Sequence, residues 1–487
     1  MTQSEHRQDL GTLAVRGAAW SALDKWLGRI LSLITFALLG RLLGPEAFGI
    51  VAAAQVVIML LGVFTNSGLV PALVLEEKLD ARTRASGFWL GLLAGLAPAT
   101  LLLLIAPLAA GIFHVDGITP VLRVMAALLV IRGISVVPEA LLLKELHFRA
   151  IALRSIVSAV AGSIVGLTMA FSGAGVWALV GQSITQALVA ATVMWIAARI
   201  RPTFRPQVHS LRRIAKFSGK LLAIELATVV LQYGDNFLVG AILGTTALGY
   251  YVIAHRLLSV LQETITGVLD ALALPIFARI KADRDRTARA FARATKVSLS
   301  GAAPLFLTML MWAPVLIPLV FGDQWSQSVA LFQWLCIAGI VNSVNFFNRS
   351  VLYAAGRPGL ELLVMGVAAI VTLFASGIGA QYGLTVVAAA IALRAVAISP
   401  LRLATLKIAI GIRLRMLLRE WLDPVLASIA FAIVSTGLSL ALDTAPATLR
   451  LALATAAGLS AFAGCLHLRD RTFFPGLIRL LGRLRTS

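Results

Sequence analysis

The chain has 487 residues, of which 59% are hydrophobic and 13% charged, with a formal net charge of +20 and a mean hydropathy of +0.92. This composition excludes an ordinary soluble domain, and with it the nucleic-acid binding that so basic a soluble protein would suggest. About fourteen apolar segments follow one another along the chain, each near the ~20 residues that cross a bilayer. The sequence therefore predicts an all-α polytopic membrane protein.

The positive charge is distributed by position along the predicted spans. In chain order these spans are 20–40, 48–75, 86–112, 119–143, 150–172, 175–198, 220–243, 249–278, 297–321, 328–354, 360–380, 383–405, 423–442 and 447–468. Between the spans, Lys and Arg lie almost entirely on one side, and only Arg41 and Arg450 lie on the other. By the positive-inside rule, both termini are predicted to be cytoplasmic.

Two basic stretches carry much of this charge. RIRPTFRPQVHSLRRIAKF (199–217) joins spans 6 and 7, and RIKADRDRTARAFARATK (279–296) joins spans 8 and 9. Topology anchoring with contact to anionic headgroups explains both, and docking of a cytoplasmic partner is the alternative. Cys336 and Cys465 lie inside predicted spans and form no metal motif, so no metal and no cofactor are predicted.

An internal repeat predicts two lobes. At an offset of 200, RLLGPEAFGIVAAAQVV aligns with AILGTTALGYYVIAHRLL, and three glycine pairs match: Gly40 with Gly240, Gly44 with Gly244 and Gly49 with Gly249. Each copy is the short turn between the first two helices of a six-helix set. Because six is even, the sets are related by a pseudo-two-fold axis along the membrane normal, as in transporters with parallel repeats. The predicted domains are an N-terminal lobe (1–198), a basic cytoplasmic linker (199–219), a C-terminal lobe (220–405), and an additional helix pair with a basic tail (406–487).

Three motifs carry a family resemblance. They are RGAAWSALDKWLGRILSLITFALLGRLLGPEAFGIVAAAQVV, then PEALLLKELHFRAIALRSIV followed by GAGVWALVGQ, then DNFLVGAILGTTALGYYVIAHRL. Together, over about residues 10–405, the chain resembles the polysaccharide exporter (Wzx-type flippase) family of the MOP superfamily, in its colanic-acid-exporter-like branch.

The resemblance implies a function, a location and partners. It implies flipping of undecaprenyl-diphosphate-linked oligosaccharides from the inner to the outer leaflet of the bacterial cytoplasmic (inner) membrane, for exopolysaccharide, capsule or lipopolysaccharide O-antigen synthesis. The implied partners are that lipid-linked glycan, membrane lipids and a polysaccharide polymerase or export complex. An enzyme and a nucleic-acid partner are not expected.

Ionisable residues inside spans are costly in a bilayer and are functional candidates for that reason. Guanidinium groups grip phosphate oxygens bidentately and stay charged, so cavity arginines suit a diphosphate. The candidate substrate-binding cations are Lys25, Arg29, Arg132, Arg256 and Arg394. Each has a structural alternative; for Arg29 it is an ion pair with Asp235 or Glu225.

Four polar residues complete the candidate site. Asn66 and Gln232 are predicted to hydrogen-bond the glycan, and Asp235 and His255 are candidates for ion coupling. A lone transmembrane histidine is more often structural, and that alternative stays open.

Other functions remain possible from the sequence. A multidrug exporter and a lipid II flippase belong to the same superfamily. The mid-span excess of arginine favours an anionic substrate over a drug or cation, and the PEALLLKELHFR and GVWAL motifs favour the polysaccharide branch over a lipid II flippase. A membrane glycosyltransferase or ligase fits less well, because the external loops are short and hold no recognisable catalytic motif.

Overall fold

A computed structural model describes residues 28, 30–66, 68–77, 79–115, 117–200, 206–471, 473 and 475, and these residues form helices joined by short turns, with no strand among them. In the first half of the chain the helices are α1 (Ile30–Leu42), α2 (Pro45–Asn66), α3 (Leu69–Leu75), α4 (Ala81–Phe113), α5 (Ile118–Met125), α6 (Ala127–Ile134), α7 (Val136–Lys144), α8 (Phe148–Phe171), α9 (Val176–Ala198) and α10 (Val208–Leu243). In the second half they are α11 (Thr245–Ile280), α12 (Arg284–Phe321), α13 (Gln327–Asn345), α14 (Asn348–Ala354), α15 (Pro358–Gln381), α16 (Leu384–Ile410), α17 (Leu414–Ala441) and α18 (Ala447–Arg469).

Eleven of these segments are long and apolar enough to cross a membrane, and a bent pair of helices over 118–144 makes up to twelve. The prediction of an all-α polytopic membrane protein is confirmed. The other two predicted spans correspond to α1, described only from Ile30, and to α11. Helix α11 is 36 residues long and is not among the eleven. The number fourteen therefore stays a prediction.

The bend within 118–144 has a local cause. Helix α6 ends at Ile134, α7 begins at Val136, and the segments meet at 41°. Pro138 has no N–H to donate to the carbonyl of Ile134, and its ring crowds that carbonyl. The hydroxyl of Ser135 donates to the carbonyl of Ile131 at 2.7 Å, which satisfies one polar group at the break.

Glycines bring several helix pairs into close contact. On α4, Gly91 and Gly95 lie against the backbone of Gly133 on α6, and a Cβ at either glycine would overlap a carbonyl oxygen. On α8, Gly162 and Gly166 pack closely against Gln182 on α9, the first near its carbonyl oxygen and the second near its Cβ. Small residues four apart allow helix backbones to approach inside a membrane, where no hydrophobic effect drives them together.

Helix α4 begins at a polar cap outside the predicted span. Asp80 accepts a hydrogen bond from the backbone N–H of Thr83 at 2.7 Å. Hydrogen bonds from the Thr83 side chain and backbone hold the pKa of the Asp80 carboxyl below its usual value. The cap satisfies one of the N–H groups that have no partner at a helix start.

The chain divides into two compact units. The first contains the described residues up to Val252 together with 320–322, and the second contains 253–319 and residues from Asp323 onward. The first packs Leu73, Val137 and Ala140 in its interior, and the second packs Phe291 and Val351. The lobe boundaries stay a prediction. Helix α10 already begins at Val208, inside the predicted linker.

The two repeat copies cross reciprocally inside the first unit. A Cβ at Gly49 would overlap the carbonyl of Thr245, and a Cβ at Gly249 would overlap the carbonyl of Pro45. Both contacts follow the offset of 200 found in the sequence, which is what a two-fold relation between the copies requires. The preceding turn is less symmetric, because Gly244 has φ 85° whereas Gly44 is not among the residues of positive φ.

Candidate functional site

Several predicted site residues cannot be placed. Lys25 and Arg29 lie outside the described residues. Asn66 ends α2, but its side chain also lies outside the described part of the chain. The roles of these three residues stay predictions.

Arg132 lies in the last turn of the short helix α6, one residue from the contact between Gly133 and α4. The Arg132 side chain is exposed on the surface of the protein, and so is the Gln232 side chain on α10. Arg132 is held at a helix break, where the backbone direction changes. Neither side chain contacts an oppositely charged residue in the described part of the chain.

Asp235 is a buried carboxylate in the first unit. It is 9% exposed and accepts a hydrogen bond from the Tyr251 hydroxyl at 2.6 Å and another from the Asn236 backbone N–H at 2.8 Å. Tyr251 is itself fully buried, so this bond joins α10 to the start of α11. These contacts give Asp235 a structural role, and ion coupling stays a prediction.

Replacing Tyr251 with Phe is expected to destabilise the protein by about 1–3 kcal/mol, because a buried acceptor loses its partner while the ring packing is kept. The measurement is the thermal unfolding midpoint of purified protein in detergent. Tyr382→Phe serves as the control, since Tyr382 is highly exposed at the end of α15. An unchanged midpoint for Tyr251→Phe would contradict the structural role.

His255 and Arg256 lie together on α11 in the second unit. His255 is half-buried, with Nδ1 3.5 Å from the hydroxyl oxygen of Ser259, and that hydroxyl donates to the His255 carbonyl at 2.9 Å. The Arg256 side chain is exposed. The contact with Ser259 is local to one helical turn, which fits the structural alternative noted for a lone histidine.

Arg394 is half-buried on α16, and its Nη1 donates to the hydroxyl of Thr372 on α15 at 2.8 Å. Arg402 lies eight residues further along the same helix, about two turns away. The two guanidinium groups are close enough to repel each other, and Arg402 is attracted to Glu361. The structure thus extends the predicted cation at 394 into a group of charges.

Glu361, in the first turn of α15, is the centre of that group. It is 3% exposed, and its Oε1 lies 4.0 Å from Nε of Arg349 on α14. Its Oε2 is buried and has no hydrogen-bond partner among the described residues. A buried carboxylate needs neighbouring positive charge, which Arg349 and Arg402 supply.

A polar cavity of about 420 Å³ lies beside this charge group, within the second unit. Helices α11, α12, α13 and α16 contribute its walls. Its lining includes Ser259, Gln262, Glu263, Ser298, Phe306, Gly339, Asn342, Ser343, Asn345, Phe346 and Arg402. Side-chain amides, hydroxyls, one arginine and one glutamate therefore line a space that lies within the ~300–1,000 Å³ range of small-ligand sites.

A smaller cavity of about 170 Å³ is strongly basic. Lys281, Arg284 and Arg357 line it together with Thr287, and no carboxylate is in its lining. It lies where α11 meets α12 and where α14 meets α15. The predicted topology puts both of these loops on the cytoplasmic side.

Lys296 was counted with the basic stretch 279–296 as a topology anchor, but the structure buries it. It is 8% exposed, and its Nζ donates to Oδ2 of Asp423 at 2.9 Å and to Oδ2 of Asp470 at 2.8 Å. Asp423 also accepts from Nε of Arg469 at 2.7 Å. This network joins α12 to the C-terminal helix pair. The anchoring interpretation is therefore incomplete for this lysine.

A match to a protein-family model shows which family the chain belongs to. Residues 38–330 match the model described as polysaccharide biosynthesis protein. The chain belongs to this family. The resemblance found in the sequence is thereby confirmed at the level of the family.

Relatives within this group are distant in sequence. The succinoglycan biosynthesis transport protein ExoT of Rhizobium meliloti is 27% identical over 68% of this chain and 67% of its own. The teichuronic acid biosynthesis protein TuaB of Bacillus subtilis is 25% identical over 91% and 92%, and the lipopolysaccharide biosynthesis protein WzxC of Escherichia coli is 24% identical over 70% of each chain.

A solved structure shares the fold. The inward closed conformation of the lipid II flippase MurJ superposes with a TM-score of 0.76, covering 93% of this chain and 99% of that one at 13% identity. An inward-facing multidrug transporter of the MOP superfamily follows at 0.58, covering 78% and 94%. The chain therefore shares the fold of these two solved structures.

The sequence reasoning missed part of this site. Arg402 and Glu361 lie within the predicted spans 383–405 and 360–380 but were not among the predicted site residues. The sequence did contain one indication, because Arg394 and Arg402 are eight residues apart and therefore lie on nearly the same face of one helix. Nothing in the sequence indicated that Gln262 and Asn342, on different helices, line one cavity.

Proposed function

We propose that this protein flips undecaprenyl-diphosphate-linked oligosaccharide repeat units across the bacterial cytoplasmic membrane for surface polysaccharide synthesis. The single observation that carries the proposal is membership of the polysaccharide biosynthesis family together with a fold shared with a lipid flippase. A relative named as a succinoglycan transport protein supports transport of a polysaccharide precursor. The protein acts as a transporter and not as an enzyme, needs no cofactor, and has both termini in the cytoplasm.

The physical task is to move an anionic headgroup through a low-dielectric slab. A diphosphate moved alone would lose its hydration, at a large electrostatic penalty. Arginines in a cavity open to one side at a time replace that hydration with charge-assisted hydrogen bonds. Lys25, Arg29, Arg132, Arg256 and Arg394 are the proposed cations of this cavity.

The other members of the superfamily are the nearest alternatives. A multidrug exporter takes up cations and would need carboxylates that are free to bind them. Among the described residues of the second unit, the buried Glu361 lies 4.0 Å from Arg349 and the half-buried Asp423 accepts a hydrogen bond from Lys296. This engagement favours an anionic substrate over a cationic one.

Reconstituted flipping tests the proposal. Purified protein in liposomes receives a fluorescent polyprenyl-diphosphate-linked oligosaccharide, and a membrane-impermeant reagent quenches the outer leaflet. Wild type is expected to expose the inner pool to quenching, and Arg256→Gln and Arg394→Gln are expected to slow this at least tenfold. Arg256→Lys and Arg394→Lys are expected to retain part of the rate, because the charge is kept and only the bidentate geometry is lost.

The matched control is Arg289→Gln, since Arg289 is an exposed arginine near the start of α12. It is expected to flip at the wild-type rate. Flipping that is unaffected in every cavity variant would contradict the arginine-lined cavity. Absence of flipping by well-folded wild type would contradict the function.

A further inference from the structure

The polar cavity of the second unit has the properties of a built binding site. The side-chain amides of Gln262 and Asn342 line it and make no hydrogen bond to another described residue. The Arg402 guanidinium, half-buried at the cavity wall, likewise has no hydrogen bond or ion pair within 4.0 Å to a described side chain. Half-buried polar groups without partners are unfavourable unless water or a ligand satisfies them.

Arg402 is available because its neighbouring carboxylate has another partner. Oε1 of Glu361 lies 4.0 Å from Nε of Arg349. The Arg402 guanidinium is attracted to Glu361 but forms no ion pair with it within 4.0 Å. Arg394, on the same helix, donates to Thr372 and adds positive potential. The guanidinium therefore keeps its donors for a group inside the cavity.

Charge balance limits what the cavity can take. Arg402 and Glu263 line the cavity, and Arg349, Arg394 and Glu361 lie near Arg402, so these five charged groups leave one net positive charge. A ligand with a single negative charge neutralises it, whereas a diphosphate would leave an excess of negative charge.

The remaining lining suits a sugar ring. Amides and serine hydroxyls such as Ser259 and Ser298 offer both donors and acceptors, which is what ring hydroxyls need. Phe306 and Phe346 add apolar surface to the wall. Gly339 packs directly against the Phe306 ring, and a Cβ there would overlap that ring.

We propose that this cavity binds one sugar residue bearing a carboxylate, with Arg402 holding the carboxylate and Gln262 and Asn342 holding the ring hydroxyls. The inference rests on the proposed function, because it assigns a sugar of the transported oligosaccharide to the cavity. By the predicted topology, Arg402 and Asn342 lie in the cytoplasmic halves of their spans. The site is therefore placed to receive a repeat unit from the side on which it is assembled.

Binding of soluble probes tests the site apart from transport. Full-length protein in lipid nanodiscs is titrated with a glucuronate-containing disaccharide, with the neutral disaccharide of the same linkage, and with inorganic pyrophosphate, and binding is followed by saturation-transfer NMR. Wild type is expected to bind the acidic disaccharide at least tenfold more tightly than the neutral one. Arg402→Gln is expected to reduce this preference to about one, and Arg402→Lys to keep part of it.

A second variant keeps the proposal testable if Arg402→Gln does not fold. Asn342→Asp places a negative charge in the cavity and is expected to weaken binding of the acidic disaccharide at least tenfold more than binding of the neutral one. Arg413→Gln, which removes an exposed arginine at the start of α17, is the matched control and is expected to change nothing. Equal wild-type affinity for the two disaccharides would overturn the proposal, and so would an acidic preference that survives Arg402→Gln. Pyrophosphate binding that is lost in Arg402→Gln would also overturn it, by assigning the cavity to the diphosphate.

The flipping assay separates the two proposals. If wild type binds the acidic disaccharide but flips no lipid-linked substrate, the sugar site stands and the transport function fails. If wild type flips the substrate and Arg402→Gln flips acidic and neutral oligosaccharides as wild type does, the function stands and the sugar site fails.

Discussion

Alanine at Gly49 or at Gly249 is expected to destabilise the protein by about 3 kcal/mol or more, which is the upper end of the range for overpacking. Each added Cβ would overlap a backbone carbonyl, that of Thr245 or of Pro45, and a backbone cannot move aside as a flexible side chain can. The α2–α11 crossing would have to open. The measurement is the thermal unfolding midpoint in detergent, together with the yield of monodisperse protein.

The reciprocal geometry predicts a specific coupling. Because both glycines lie at one crossing, the first substitution already separates the helices, and the double variant is expected to lose clearly less than the sum of the single losses. Gly111→Ala is the control, since a Cβ at Gly111 meets nothing within 4 Å. Additive losses, or single variants as stable as Gly111→Ala, would contradict the crossing.

Replacing Lys296 with Met is expected to destabilise the protein by about 3–5 kcal/mol, the cost of removing one partner from a buried ion pair. Asp423 and Asp470 would each lose a hydrogen bond below 3.0 Å and keep their negative charge. The C-terminal helix pair should loosen first, because this network joins it to α12. Hydrogen exchange of α17 and α18, measured beside the thermal midpoint, reports that loosening.

A neutralising substitution provides the internal check. In the Lys296→Met background, Asp470→Asn removes one uncompensated charge while Asp423 keeps its bond to Arg469, so part of the stability is expected to return. Lys407→Met, an exposed lysine in the last turn of α16, is the control and should be near neutral. If Lys296→Met exchanges no faster in α17 and α18 than Lys407→Met, the network does not hold the pair.

Much of the fold follows from one-dimensional patterns, because helix length and hydropathy are properties of consecutive residues. The repeat was equally readable, since Gly49 and Gly249 lie 200 apart and pack reciprocally. The environment of Lys296, in contrast, could not be predicted from consecutive residues. In the sequence it belongs to a basic stretch, and its three carboxylate neighbours, Glu420, Asp423 and Asp470, lie more than a hundred residues away.

The candidate site was less predictable for the same reason. Arg394 was found because a mid-span charge is unusual by itself. Arg402 and Glu361 acquire their meaning only from each other and from the cavity beside them. Amides such as Gln262 and Asn342 are ordinary in any helix, and only the packing of four helices makes them line one space.

Transport of a lipid-linked glycan is the central claim, and loss of the gene tests it most directly. In the deletion strain, surface polysaccharide should disappear, and undecaprenyl-diphosphate-linked repeat units should accumulate on the cytoplasmic side of the membrane. Wild type should relieve that accumulation, whereas membrane-inserted Arg29→Ala and Arg256→Ala variants should not. A deletion strain that contains no linked intermediate would contradict the claim, because the protein would then act upstream, in assembly of the repeat unit.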